Sequence, residues 1–348
     1  MVIAAEMAAS PRDNGLVPSD YAELKRAIRA AGLFAPQWRY YSLKAVSTGL
    51  LLAVVVVIAL STSQLWLLAL DAMVMGFVLT QLGFLGHDVS HRQVFRRKLP
   101  LTLSSLLVGN VLTGISYSWW HQKHNRHHAN PNHLDDDPDI NLPMFAHSAE
   151  QIAKRAAIFR PVIAFQAYLY VVVGSLLFVS MRASSVAHLF TSGARYRVAE
   201  ALGLALHFGL WAILLAQLGS WEAAALFLLV SQVTFSVYNV AVFAPNHKGM
   251  ENPSDDWIHD FLRTQVLTSR NVHGGLVADF MYGGLNYQIE HHLFPTLPRN
   301  QLGRVQPIVR DFCSELRIPY HETTVVQSYR EIFGHLHRVG APIRNGTG

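Results

Sequence analysis

Cysteine is almost absent from this chain: one residue, Cys313, in 348. A lone thiol excludes an internal disulfide, an iron–sulfur cluster held by four thiolates and a Cys-rich zinc site. Cys313 itself reads as a small packing residue. Charge is scarce as well: Asp, Glu, Lys and Arg make up 15% of the residues against 51% apolar, a balance outside that of ordinary soluble proteins. The apolar excess gathers in windows close to the ~20 residues that cross a hydrocarbon core. The first forty residues hold no early apolar run, so no cleavable signal peptide is expected. No internal repeat or low-complexity tract occurs. The net charge of +5 comes from Lys and Arg beside the apolar windows, not from a patch interleaved with aromatics. That favours anionic lipid headgroups and an acidic protein partner over nucleic acid.

What is present is four spans and a wealth of histidine. The first span runs from about Lys44 to Leu60 and the second from about Leu65 to Leu85, joined by a Ser-Thr-Ser-Gln turn into a hairpin. Arg26, Arg29, Arg39 and Lys44 precede it and Arg92, Arg96, Arg97 and Lys98 follow it. The positive-inside rule therefore puts both flanks in the cytoplasm. A second hairpin, about Val198 to Leu218 and Trp221 to Phe243, turns on Gly219-Ser220. Two further apolar stretches, Leu99 to Tyr117 and Arg160 to Met181, are expected to be re-entrant or interfacial, because a crossing would strand residues that belong on one face. The expectation is an all-α integral membrane protein with four transmembrane helices, interfacial helices and a cytoplasmic helical cap. Residues 1–40 read as a cytoplasmic tail with one helix from about Ser19 to Ala31, 41–306 as the membrane domain and 307–348 as a cytoplasmic C-terminal segment.

Three histidine clusters then fall on one membrane face. His87 and His91 end the second span, His124, His127 and His128 sit at i, i+3 and i+4, and His291 and His292 follow Gln288. On a helix the i, i+3, i+4 spacing shares one face, and neutral imidazole is a common transition-metal ligand. A surface helix that merely happens to be rich in His is the plain alternative for any one cluster. Seven imidazoles exceed the four ligands of one closed site and point to two metals. With nitrogen donors and no thiolate, redox-capable iron is favoured over magnesium or calcium. Zinc remains a competitor, although no HExxH stretch occurs.

His87-Asp88-Val89-Ser90-His91, His124-Asn125-Arg126-His127-His128 and Gln288-Ile289-Glu290-His291-His292 together resemble the three histidine boxes of the membrane fatty-acid desaturases. Asp137-Pro138-Asp139-Ile140 and Leu293-Phe294-Pro295 agree with it, and the likeness runs from about Tyr40 to Gln306. The resemblance implies a cytoplasmic site with two irons that inserts a cis double bond into a fatty acyl-CoA or acyl-lipid, using O2 and two electrons. Gln288 in place of a first His is similar to the front-end subgroup, and Gln288 joins the implied ligands. No His-Pro-Gly-Gly heme motif occurs, so a separate ferredoxin or cytochrome b5 with its reductase is expected as electron donor. A bacterial inner membrane is expected over endoplasmic reticulum.

Resembling proteins use one more His between the last span and the third box; His247 fits that position best, with His273 as runner-up. Asn271 and Asn239 are candidates to hold a water on the metal, while Asp88, Asp137 and Asp139 could orient ligand imidazoles through the free ring N–H. His121, His133 and His259 read as surface residues, and His207 as a satisfied bundle histidine. Phe84 and the Trp119-Trp120 pair are candidate walls of an apolar tunnel. Arg92, Arg96, Arg97 and Lys98 suit an acyl carrier's phosphates or an acidic electron donor. Two rivals stay open: a fatty acyl hydroxylase on the same scaffold, and a non-enzymatic membrane metal-binding protein.

Overall fold

The computed structural model describes residues 19–253 and 259–346. The first helix, α1 (Asp20–Ala30), is capped by the Ser19 hydroxyl and buries Leu24 and Ile28. Helices α2 (Trp38–Ser61) and α3 (Leu65–Ser90) form the first hairpin. Both are long and apolar enough to cross a membrane, as are α10 (Arg197–Ala216) and α11 (Trp221–His247). The four-span expectation therefore stands, and the protein is a multi-pass membrane protein. Helix α3 continues past the expected end at Leu85 to Ser90, so that His87 lies on its last turns and His91 caps it.

Between the hairpins come α4 (Lys98–Ser105), a π-helical segment Leu106–Thr113 and α5 (Tyr117–Ala129). The chain bends by 103° at Gly114 to Ser116. Gly114 adopts φ +70° there and packs against the His207 ring, where a side chain has no room. The Arg160 to Met181 stretch is likewise broken, into α7 (Arg160–Ala164), α8 (Gln166–Gly174) and α9 (Leu177–His188), after the short α6 (Ala149–Lys154). A 101° bend separates the segment ending at Ala164 from α8. Both stretches are thus bent, as expected of re-entrant segments.

The remainder forms a cap over that end: α12 (Phe261–Leu267), β1 (Asn271–Val272), α13 (Leu276–Met281), α14 (Gln288–Leu293), α15 (Leu302–Glu315), β2 (Glu322–Thr323) and α16 (Val325–Arg344). The two-stranded parallel pairing of β1 with β2 is the one departure from an all-α chain among the described residues. Leu24 and Ile28 of α1 pack in one core with Leu293, Val305 and Val309. The part of the expected tail that is described is therefore cap; residues 1–18 lie outside the described residues. The expected boundaries at 40/41 and 306/307 fall inside α2 and α15, because apolar faces from both ends of the chain close a single core over the bundle.

Helices α3 and α11 approach closely at Gly76, where a Cβ would meet the Ser231 carbonyl at 2.5 Å and Thr234 at 2.6 Å. Gly76→Val forces these backbones apart, and overpacking of this kind costs about 1–3 kcal/mol. A lowered thermal midpoint of the detergent-solubilised chain is the expected outcome.

Candidate metal centre

Four elements meet beneath the cap. The end of α3 brings His87 and His91, α5 brings His124, His127 and His128, the last turn of α11 brings His247, and α14 brings Gln288, His291 and His292. His87, His91, His124 and His291 form one group with ligand atoms within 4.8 Å of one another, and His127, His247 and His292 form a second. His128 stands between them: its Nε2 is 3.1 Å from that of His124, and its ring stacks on His292 with centroids 4.2 Å apart.

The outward nitrogens are held by hydrogen-bond acceptors. His87 Nδ1 faces Asp88 at 3.3 Å, His127 Nδ1 faces Asp137 at 3.0 Å, His247 Nδ1 faces the Thr268 carbonyl at 3.0 Å and His292 Nδ1 faces the Gln265 side-chain oxygen at 2.8 Å. Each acceptor assigns the ring proton to Nδ1 and leaves an Nε2 lone pair aimed inward, that of His247 also accepting from the Gln288 amide. His127 and His247 then oppose two such lone pairs at 3.3 Å, and the buried His292 Nε2 has no hydrogen-bond partner. Burial, reinforced by the neighbouring imidazoles, holds His91, His124, His128, His291 and His292 far below the usual histidine range. Neutral rings with converging lone pairs fit cations placed among them, and without cations they repel.

Asp137 also accepts from the backbone N–H of Asn132 and Asp139. Asp139 approaches His127 Nδ1 at 3.6 Å and pairs with Lys123. Asp88 is additionally paired with the buried Arg299 at 2.7 Å. Gln288 lies 2.9 Å from His247 Nε2, with its oxygen accepting from Asn246.

Other residues are placed elsewhere. Asn271 contacts no box imidazole: it donates to Glu290 and Tyr320 and accepts from Ile289 N–H, bracing α14 from behind. Its amide is taken up by the cap, where burial pushes the Glu290 carboxyl up to about 7. Asn239 bonds Thr80 and its own helix. His207 donates from Nδ1 to the Val111 carbonyl in the bundle, while His259 and His273 are exposed. Trp120 stacks on the His124 ring at 4.4 Å.

Sequence reasoning missed Gln265, which orients His292 and also donates to the His128 carbonyl, and Thr268. Neither lies near a box, and nothing in the local pattern marks them. It also missed Glu200. That fully buried carboxylate accepts from the Ser116 and Ser118 hydroxyls and so fixes the N-terminus of α5, the helix that carries three of the imidazoles. Its one sequence signal is an isolated acid in the third span.

Residues 64–324 match the family model described as fatty acid desaturase. The chain belongs to the fatty acid desaturase family. Similar relatives are the Delta(8)-fatty-acid desaturase of Euglena gracilis, 33% identical with 88% of this chain and 76% of the relative covered, and the Delta(5) fatty acid desaturase of Caenorhabditis elegans, 31% identical with 89% and 71% covered. The Delta(6)-fatty-acid desaturase of Caenorhabditis elegans is 31% identical, with 86% and 70% covered. As a desaturase the chain is an oxidoreductase, and its histidine groups are the donors available to a metal.

Asp137→Ala or Gln265→Ala removes an acceptor that fixes a ring tautomer. Loss of such a partner lowers metal affinity by about 10–100-fold. Metal per chain after a chelator challenge, measured by elemental mass spectrometry, is expected to fall in both variants while the protein stays in the membrane.

Proposed function

We propose that this desaturase inserts a double bond into a fatty acyl chain, using dioxygen at two irons held by the converging imidazoles. His87, His91, His124 and His291 would hold one iron, and His127, His247 and His292 the other, with His128 between them and Gln288 beside His247. The observation that carries this reading is the inward lone pairs of His127 and His247, 3.3 Å apart, beside the unpartnered His292 Nε2. Nitrogen donors with no thiolate suit a redox metal with open positions. Bound iron supplies the redox chemistry that reduces dioxygen and draws hydrogen from unactivated methylenes.

The reaction takes one hydrogen from each of two adjacent methylenes. Reducing dioxygen to two waters consumes those hydrogens together with two protons and two electrons. The protein's own part is positional. Asp88, Asp137, the Thr268 carbonyl and Gln265 keep the protons on Nδ1, and Trp120 packs flat on His124 to fix its ring. A methylene chain has no polar handle, so the site of attack depends on where apolar side chains such as Phe84 hold it.

Two electrons must reach the centre, which lies on the cytoplasmic side in this reading. A cavity of about 470 Å³ beside α5 supports a docking place for a small acidic carrier such as a ferredoxin or cytochrome b5. Arg92, Arg96, Lys98 and Arg195 line it along with His121, and among the described residues no carboxylate does.

His127→Ala and His292→Ala are each expected to abolish unsaturated product, read by mass spectrometry of fatty acids from an expressing host. Normal product from either variant contradicts the ligand set. Arg92→Glu combined with Arg195→Glu is expected to raise the KM for the reduced donor about ten-fold at low salt, with the difference shrinking as salt rises.

A further inference from the structure

Helix α13 (Leu276–Met281) presents an apolar face that the described residues leave largely uncovered. Leu276 is 93% exposed, Val277 77%, Phe280 43% and Met281 37%. These positions share one side of a helical turn. The opposite side carries Asp279, which accepts from Gly275 N–H, the Asn286 amide and the Tyr287 hydroxyl. The helix is therefore attached through its polar side and apolar outward.

Its level in the fold identifies what lies outside. The Phe280 ring sits 6.0 Å from that of Phe77, and the Lys44 ammonium of α2 lies 4.3 Å over the same ring. Phe77 is about 15 Å down α3 from His87 at 1.5 Å per residue, and its side chain leans toward the helix N-terminus, away from the cap. The Tyr238 hydroxyl of α11 donates to the Met281 carbonyl. Helix α13 thus dips from the cap alongside the spans to the level of Lys44, near the start of α2. Leu43, the neighbour of Lys44, is itself 69% exposed on the outer surface.

Glycines bracket the helix. Gly275 has φ +137° with open space around it, and Gly283 and Gly284 have φ +59° and +80°. Gly283 lies directly on the Phe84 ring, where a Cβ would come to 2.7 Å. Phe84 is one turn before His87 on α3. The glycine joint after α13 thus packs on Phe84 and on Arg299, the residue that pairs with Asp88 beside His87.

We propose that α13 is embedded in the bilayer's hydrocarbon border and is the wall past which an acyl chain moves sideways between the leaflet and the histidine centre. The embedding is independent of the catalytic reading; the acyl traveller rests on it. Cys313 is buried and is the only cysteine, so Val277→Cys offers a single labelling position for a bimane fluorophore. In phosphatidylcholine bilayers, bromine on the lipid acyl chains quenches the label and aqueous iodide leaves it bright; the reverse pattern overturns the embedding. Leu276→Asp with Val277→Asp raises the apparent KM for the acyl substrate about ten-fold with kcat within two-fold and metal content unchanged. The Ser pair at the same positions does so by a smaller factor, which keeps the test open should the Asp pair not insert. An unchanged KM, or loss confined to kcat, overturns the route. A wild-type chain that forms no unsaturated product overturns the catalytic reading and the acyl route together, whereas bromine quenching continues to decide the embedding.

Discussion

The structure depends on the packing that brings its imidazoles together. Eight histidine rings crowd under one cap, several of them with lone pairs turned inward, and bulk water is kept from protonating them. Neutral rings with converging lone pairs need to be positioned. They are held by acceptors behind them and by apolar cores on two sides: the bundle around Val78, Leu79 and Phe235, and the cap around Ile289, Leu293 and Val305. The cost of assembling the cluster falls on burial elsewhere, and a cation among the nitrogens converts repulsion into attraction.

Each structural peculiarity near the site serves that convergence. The π segment and the 103° bend turn α5 so that its i, i+3, i+4 face meets α3. Glu200 ties down the start of that helix from within a span, although a carboxylate there must be satisfied by hydroxyl and N–H donors alone. The parallel β1–β2 pairing anchors the segment before α14 to the C-terminal part of the cap, so the third box is braced from the side away from the metals. The Asp88–Arg299 pair links the first box to the cap in the same way.

The spans, both hairpins, the broken stretches and the three boxes were legible because their signals are local: runs of apolar residues, flanking cations and helical spacing of histidine. The outer acceptors were legible only in part. Asp88 and Asp137 stand close in sequence to the rings they face, whereas Gln265 lies 27 residues from His292 and Thr268 acts through a backbone carbonyl that any residue possesses. Asn271, expected at the metals, faces the other way because its amide is more fully satisfied by Glu290, Tyr320 and the start of α14.

The sequence by itself determined that the chain crosses a membrane and carries enough imidazoles for two metals, since hydropathy and ligand identity are properties of the residues. Tertiary structure alone decided how those imidazoles divide into two groups, which nitrogen of each ring faces inward, and that α1 shares one cap with α14 and α15. Those outcomes depend on contacts between separate segments, some, as His87 with His291 and His127 with His247, more than a hundred residues apart, and no local periodicity encodes them.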